Sequence, residues 1–154
     1  MICRPATLVD HGAVEAIWRE QNRLHAELEA DVLRAAGPLM TEARFTEILA
    51  DPLQEIAVAG EGDGVVAAAW LVERRTGSEL LAAHPVAFVH EICVLEAHRR
   101  RGIGRQLAGY IQEWARSRDL DRIELNVWGR NEAALAFYRS LDFRIRRYEL
   151  ERPV

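Results

Sequence analysis

A mixed α/β (α+β) domain, with a mostly antiparallel central sheet and helices on both faces, is predicted by three features of this 154-residue chain. Strand-period and helix-period apolar segments follow one another in the order β-α-α-β-β-β-α-β-α-β. The three middle strand segments come in succession, the first two joined by a glycine-rich turn, which makes them antiparallel neighbours. The strand-helix-strand order after them requires that some strands be parallel.

Ile2 to Thr7 is the first strand, and Val14, Ile17, Trp18, Leu24 and Leu28 then recur at helical spacing. A shorter helix from Thr41 to Ala50 is entered through Ala36-Gly37-Pro38 and closed by Asp51-Pro52, since proline cannot continue a helix. Glu55 to Ala59 and Val65 to Arg74 are strands flanking Gly60-Glu61-Gly62-Asp63-Gly64, and His84 to Val94 is the next. Ile103, Leu107, Tyr110, Ile111, Trp114 and Ala115 mark one face of a helix. Ile123, Leu125 and Val127 alternate with Arg122, Glu124 and Asn126 as a strand does. A last helix starts near Asn131, and Phe143 to Leu150 is expected to close the chain as a final strand.

One domain over residues 1–154 is expected, because this length buries a core without metals or disulfides. Cys3 and Cys93 stand far apart and read as two reduced thiols, and no metal site is expected. MICRPATLVD contains no signal-type apolar region, and the longest apolar run, Val65 to Val72, is far shorter than the ~20 residues that span a bilayer. A cytoplasmic protein with no membrane partner is therefore expected.

All 20 basic residues are arginine, which excludes chemistry built on a lysine amine, such as pyridoxal Schiff bases and the P-loop. The charge is uneven. Residues 1–98 carry 7 Arg and 16 acidic side chains, and residues 99–154 carry 13 Arg and 8 acidic ones. The basic half suits an anionic ligand, and the acidic half points toward a cationic one.

The densest positive charge, His98-Arg99-Arg100-Arg101-Gly102-Ile103-Gly104, lies between a strand and the start of a helix. The first turn of a helix leaves backbone amides unpaired, and the two glycines leave room beside them. Arginines add attraction and multidentate bonds, so the turn is suited to a diphosphate. A dinucleotide fold fits poorly, because Leu107 occupies the third glycine's place and the unit comes late in the chain. Nucleic-acid binding also fits poorly: the arginines form one short cluster and the net charge is −4.

Arg99-x-x-Gly102-x-Gly104 after a strand ending Ile92-Cys93-Val94 resembles the acetyl-CoA-binding signature of the GNAT family of N-acetyltransferases. Ile123-Glu124-Leu125-Asn126-Val127-Trp128, followed by Asn131-x-x-Ala134-x-x-Phe137-Tyr138-x-x-Leu141-x-Phe143, is similar to that family's later strand and helix. The opening Ile2-Cys3-Arg4-Pro5-Ala6-Thr7 is also a common start. Asp142 departs from the family's usual glycine, and Arg100 and Arg101 stand where glycine and lysine are common.

The resemblance implies acetyl transfer from acetyl-CoA directly to a primary amine of a small molecule or peptide. It assigns cofactor contacts to Ile92, Cys93, Val94, Arg99, Arg100, Arg101, Gly102, Ile103, Gly104, Arg105, Asn126, Asn131, Ala134 and Tyr138. A backbone N–H near Ile92 to Val94, above all that of Val94, would meet the thioester carbonyl, and Tyr138 would serve the leaving sulfur. His90 would be the base, on one strand face with Ile92 and Val94, and Glu91 on the opposite face is second choice. Asn22, His25 and Glu29, on one side of the first long helix, are candidates for touching the acceptor. The family also implies a homodimer. The alternative is a non-catalytic acyl-CoA-binding or sensing module of the same fold, which would need neither acid nor base.

Overall fold

The computed structural model describes residues 2–34, 39–61, 64–76 and 84–152. The turn expected at Ala36-Gly37-Pro38 and the tip of the Gly60–Gly64 turn lie outside them. Five strands, β1 (Ile2–Pro5), β2 (Gln54–Glu61), β3 (Gly64–Thr76), β4 (His84–Val94) and β5 (Arg122–Leu125), form one sheet in chain order. The first four are antiparallel neighbours, and β4 and β5 run parallel across α3. The helices are α1 (His11–Leu28), α2 (Glu42–Ala50), α3 (Ile103–Arg116) and α4 (Glu132–Arg139). None of the described helices is long and apolar enough to cross a membrane.

Each face of the sheet has its own core. On one, Val14, Ile17 and Trp18 of α1 and Phe45 and Ile48 of α2 pack on Ile56, Val58, Ala68 and Cys93. On the other, Ile103, Leu107, Ile111 and Trp114 of α3 meet Leu71, Val89 and a field of alanines: Ala57, Ala59, Ala67, Ala69 and Ala87. Small side chains on the strands let the larger ones of α3 approach the backbone closely, and every one of these alanines is fully buried. The helix starts follow the sequence. Thr41 Oγ1 accepts from Arg44 N at 3.2 Å, and Asn131 Oδ1 accepts from Ala134 N at 3.1 Å, each satisfying an amide of the first turn.

Two buried carboxylates fasten the connections near α1. Asp10 accepts both terminal nitrogens of Arg4 at 2.8 Å and the Thr7 amide at 2.7 Å, and the Arg4 bond is the chief reason its pKa falls to about 2. Glu15 accepts the Met40 amide at 2.7 Å and the Leu39 amide at 3.3 Å, which pins the approach to α2 against α1.

The expected final strand is not formed: residues 143–150 pair with no strand of the described sheet. The Arg146-Arg147 pair breaks the alternation, so Phe143 and Ile145 fall out of phase with Tyr148 and Leu150. No face of the segment is buried, and Tyr148 and Leu150 are 74% and 90% exposed. Without a buried face nothing fixes a register along the short outer edge of β5.

Candidate active site

β4 holds two neighbours along its first half and one along its second. Val86–Val89 pair with Arg122–Leu125 of β5, while Ile92–Val94 pair only with β3. The two parallel strands therefore part beyond Val89 and Leu125. The Leu95 amide donates to Val66 of β3 at 3.0 Å, so by alternation the Ile92 and Val94 amides point away from β3, into the gap.

An apolar pocket lined by Val89, Ile92, Ile123, Leu125, Tyr138 and Phe143 opens at that divergence. Tyr138, on α4, reaches it between the rings of Phe137 and Phe143, at 5.4 and 5.5 Å. Burial, with lesser contributions from Glu91 and Cys93, raises the tyrosine's pKa well above its ordinary 10. Its hydroxyl thus stays protonated at any working pH and is able to donate a hydrogen bond. Burial likewise raises the Cys93 thiol to about 11, leaving no thiolate to act as a nucleophile.

The arginine-glycine turn follows β4. Gly102 caps α3 in the left-handed region, φ 82°, with no atom within 4 Å of where a side chain would start. The Ile103, Gly104 and Arg105 amides of the first turn point out past it, because the first intrahelical bond runs from Gln106 N to Gly102 O. Gly104 has a different reason to lack a side chain: a Cβ there would lie 3.1 Å from Phe137 Cζ, so it makes room for α4. The two glycines thus differ: open space surrounds Gly102, whereas the room at Gly104 is taken up by Phe137. Arg99 is also turned inward, its Nε donating to the Val94 carbonyl at 2.9 Å and Nη2 lying 3.5 Å from Glu20. Arg105 reaches Ser140 Oγ at 3.3 Å, and Arg100 and Arg101 are on the exposed outside of the turn.

His90 and Glu91 do not lie on opposite faces as alternation predicts. The ladder between β3 and β4 skips a residue: Trp70 pairs with Glu91 and Leu71 with Val89, leaving His90 bulged out. Both side chains consequently lie on the α1 side, and His90 does not share the face of Ile92 and Val94. His90 stacks on Trp70 with ring centres 4.2 Å apart. Glu91 accepts from Gln21 Nε2 of α1 at 2.7 Å, and burial raises its carboxyl pKa, the Gln21 bond working against this. His90 Nδ1 is 4.0 Å from Glu91 Oε1, beyond a hydrogen bond.

Of the residues expected to meet the acceptor, Glu29 is buried and ion-paired to Arg130 at 3.4 Å, His25 is half-buried with its pKa lowered by burial, and Asn22 is half-buried. Asn126 follows β5 and is exposed, and Asn131 and Ala134 are occupied with each other in the α4 cap. Gln21, which sequence reasoning passed over, left a signal. It is a polar residue seven positions after Val14, on the buried stripe of α1. Among the described residues no three His, Cys, Asp or Glu side chains are grouped to hold a metal.

The model of the acetyltransferase (GNAT) family matches residues 14–143. Among curated proteins, N-alpha-acetyltransferase RimI of Mycobacterium tuberculosis is 34% identical over 131 residues, 84% of this chain and 77% of that protein. Among solved structures, a mutant of the BH1408 protein from Bacillus halodurans superposes with a TM-score of 0.95 at 26% identity, over 100% of this chain and 99% of that one. The aminoglycoside N-acetyltransferase AAC(6')-Iy in complex with CoA shares the fold at a TM-score of 0.72 and 19% identity, over 99% of each chain. With the diverging strands, the capped turn and the family match agreeing over the same span, the chain belongs to the acetyltransferase (GNAT) family and is an N-acetyltransferase by class.

Proposed function

We propose that the protein moves an acetyl group from acetyl-CoA directly to a primary amine of a small molecule or peptide, with Glu91 as the base. One observation carries this reading: Glu91, Tyr138 and the outward amides of Ile92 and Val94 converge where β4 leaves β5. Acetyl-CoA, when bound, supplies a thioester whose carbonyl is open to an amine. The first-turn amides of α3 and the open Gly102 fit its diphosphate.

An acceptor amine arrives as ammonium and must lose a proton before it can attack. Burial raises the affinity of Glu91 for that proton, and Gln21 aims the carboxylate. In this reading the Val94 amide donates to the thioester carbonyl, and Arg99 holds the same residue's carbonyl. Tyr138 donates to the departing sulfur. A thiol ionises near 8.5, so the thiolate can leave with hydrogen-bond support without the phenolic proton, and it takes the second proton that the attacking nitrogen sheds as the C–S bond breaks and the amide forms. His90, 4.0 Å from Glu91 and packed on Trp70, shapes the acceptor side.

The test is thiol release from acetyl-CoA across a panel of amines. Glu91→Gln is expected to lower kcat by about 10²-fold or more, on the usual scale of acid-base catalysis, with CoA binding by calorimetry within a few-fold. Tyr138→Phe is expected to cost less, since it removes one donor. Unchanged turnover in both would remove these roles, and CoA binding with no turnover of any amine would favour the sensing module. A homodimer also fits, because Ile145, Tyr148 and Leu150 leave an apolar segment uncovered next to the outer edge of β5. Light scattering should return about twice the chain mass, and a monomer at all concentrations would rule it out.

A further inference from the structure

A row of five side chains in which cations flank aromatic rings begins next to Glu91, at its ladder partner Trp70 and its chain neighbour His90. The Arg44 guanidinium of α2 lies 5.5 Å from the centre of Trp70, and His90 stacks on Trp70 at 4.2 Å. Phe88 stands edge-on to His90 at 6.1 Å, and the Arg74 guanidinium lies 3.4 Å from the centre of Phe88. The bulge creates this row, because it turns His90 to the side of Trp70. A ring holds a guanidinium in place without neutralising it.

Neither cation is strongly paired. Among the described residues Arg74 has no carboxylate in ion-pair range. Glu124, which acts on it through space, is ion-paired to Arg146 and lies 3.9 Å from Arg122. Among the described residues Arg44 is in ion-pair range of Glu47, an exposed pair one turn apart at 3.2 Å, and such pairs are weak; it also acts through space on Asp51. The fields of both arginines reach His90, which after burial are the causes that lower its pKa. Three carboxylates on or next to α1 are committed elsewhere. Glu15 holds the Met40 amide, Glu20 holds the Glu96 amide at 2.7 Å and Glu29 holds Arg130.

We propose that the row is an anion subsite and that the acceptor is a primary amine bearing a carboxylate, its amine at Glu91 and its carboxylate over the Phe88 and His90 rings on Arg74. This rests on the assignment of acetyl transfer to Glu91. Arginine's planar fork matches a carboxylate, and Arg44 adds to the attraction. A polycationic acceptor meets two like charges at the same place. An amino acid and a peptide with an acidic residue near its N-terminus present the same chemistry.

Thiol-release kinetics distinguish them with matched acceptors: peptides with Glu, Gln or Arg at the second position, free glutamate against its amides, and an aminoglycoside. The acidic member of one set is expected to have a kcat/KM at least tenfold above its amide, and the set that shows this identifies the source. Arg74→Gln should bring that ratio close to one, chiefly through KM, with CoA affinity retained by calorimetry. Arg75→Gln, whose parent arginine pairs with Glu73 at 3.1 Å, should leave the ratio unchanged. Equal or better turnover of amide or basic acceptors overturns the subsite while leaving the N-acetyltransferase reading intact. An equal loss on acidic and amide acceptors in Arg74→Gln overturns it as well. If no amine is acetylated, both readings fall together.

Discussion

Glu91 is held between opposing demands: the hydrogen bond from Gln21 favours its charged form and burial disfavours it more. Because its folded pKa lies above the ordinary 4.5, the native state binds more protons than the unfolded one across that window. Stability contributed by this residue is therefore greatest at low pH and declines as pH rises through the raised pKa. Acetylation should move the other way, failing as pH falls through the same value, because a protonated carboxyl takes no proton. Thermal melts of Glu91→Gln against the parent, from pH 4 to 8, should show the variant gaining relative stability toward neutral pH. A gap that does not vary with pH would mean that burial imposes no such cost. Three further residues are under backbone constraint, Asp119 at φ 53° among them. Arg100 and Asp142 occupy left-handed conformations, φ 65° and 63°, at the two positions where the family commonly has glycine. Asp142 ends α4 there, with the Phe143 amide returning to the Tyr138 carbonyl at 3.1 Å.

At the scale of elements, α4 is positioned by what α3 lacks. Gly104 and Phe137 interlock so closely that Gly104→Ala must displace the ring, since the added carbon would be 3.1 Å from Phe137 Cζ. Overpacking of this kind costs about 1–3 kcal/mol, and the displaced residue adjoins Tyr138. The expected result is a lower melting temperature together with a fall in kcat, with CoA affinity changing less than either. Loss of CoA binding alone would return Gly104 to the phosphate turn. Spacing in the sequence made the glycines visible, but not that they serve different neighbours. That distinction depends on α4, a helix reached some thirty residues later in the chain.

For the whole molecule, element order and sheet type were legible because each segment carries its own hydrophobic period, and that period survives without knowledge of partners. The turn before α3 was legible for the same reason, being local. What depends on cross-strand register was not. Alternation put His90 and Glu91 on opposite faces, and only the pairing of β4 with Trp70 and Leu71 reveals the skipped residue. Charge summed over halves is likewise blind to the fold. It counts Glu15, Glu20 and Glu29 as available, whereas folding uses each to hold a backbone amide or an arginine. The last segment, expected as a strand, had side chains of the right kind but no surface of its own molecule to cover them.

The supernumerary residue in β4 has a consequence beyond its own side chain. A chain shorter by that one position could run an unbroken ladder along β3, with Glu91 still opposite Trp70 and Val89 opposite Leu71. A straighter β4 could then stay beside β5 for its full length, and the crevice between them would close. Such a molecule would have a tidier sheet and, on the proposed reading, nowhere to admit a thioester, which makes the irregularity the proposed doorway.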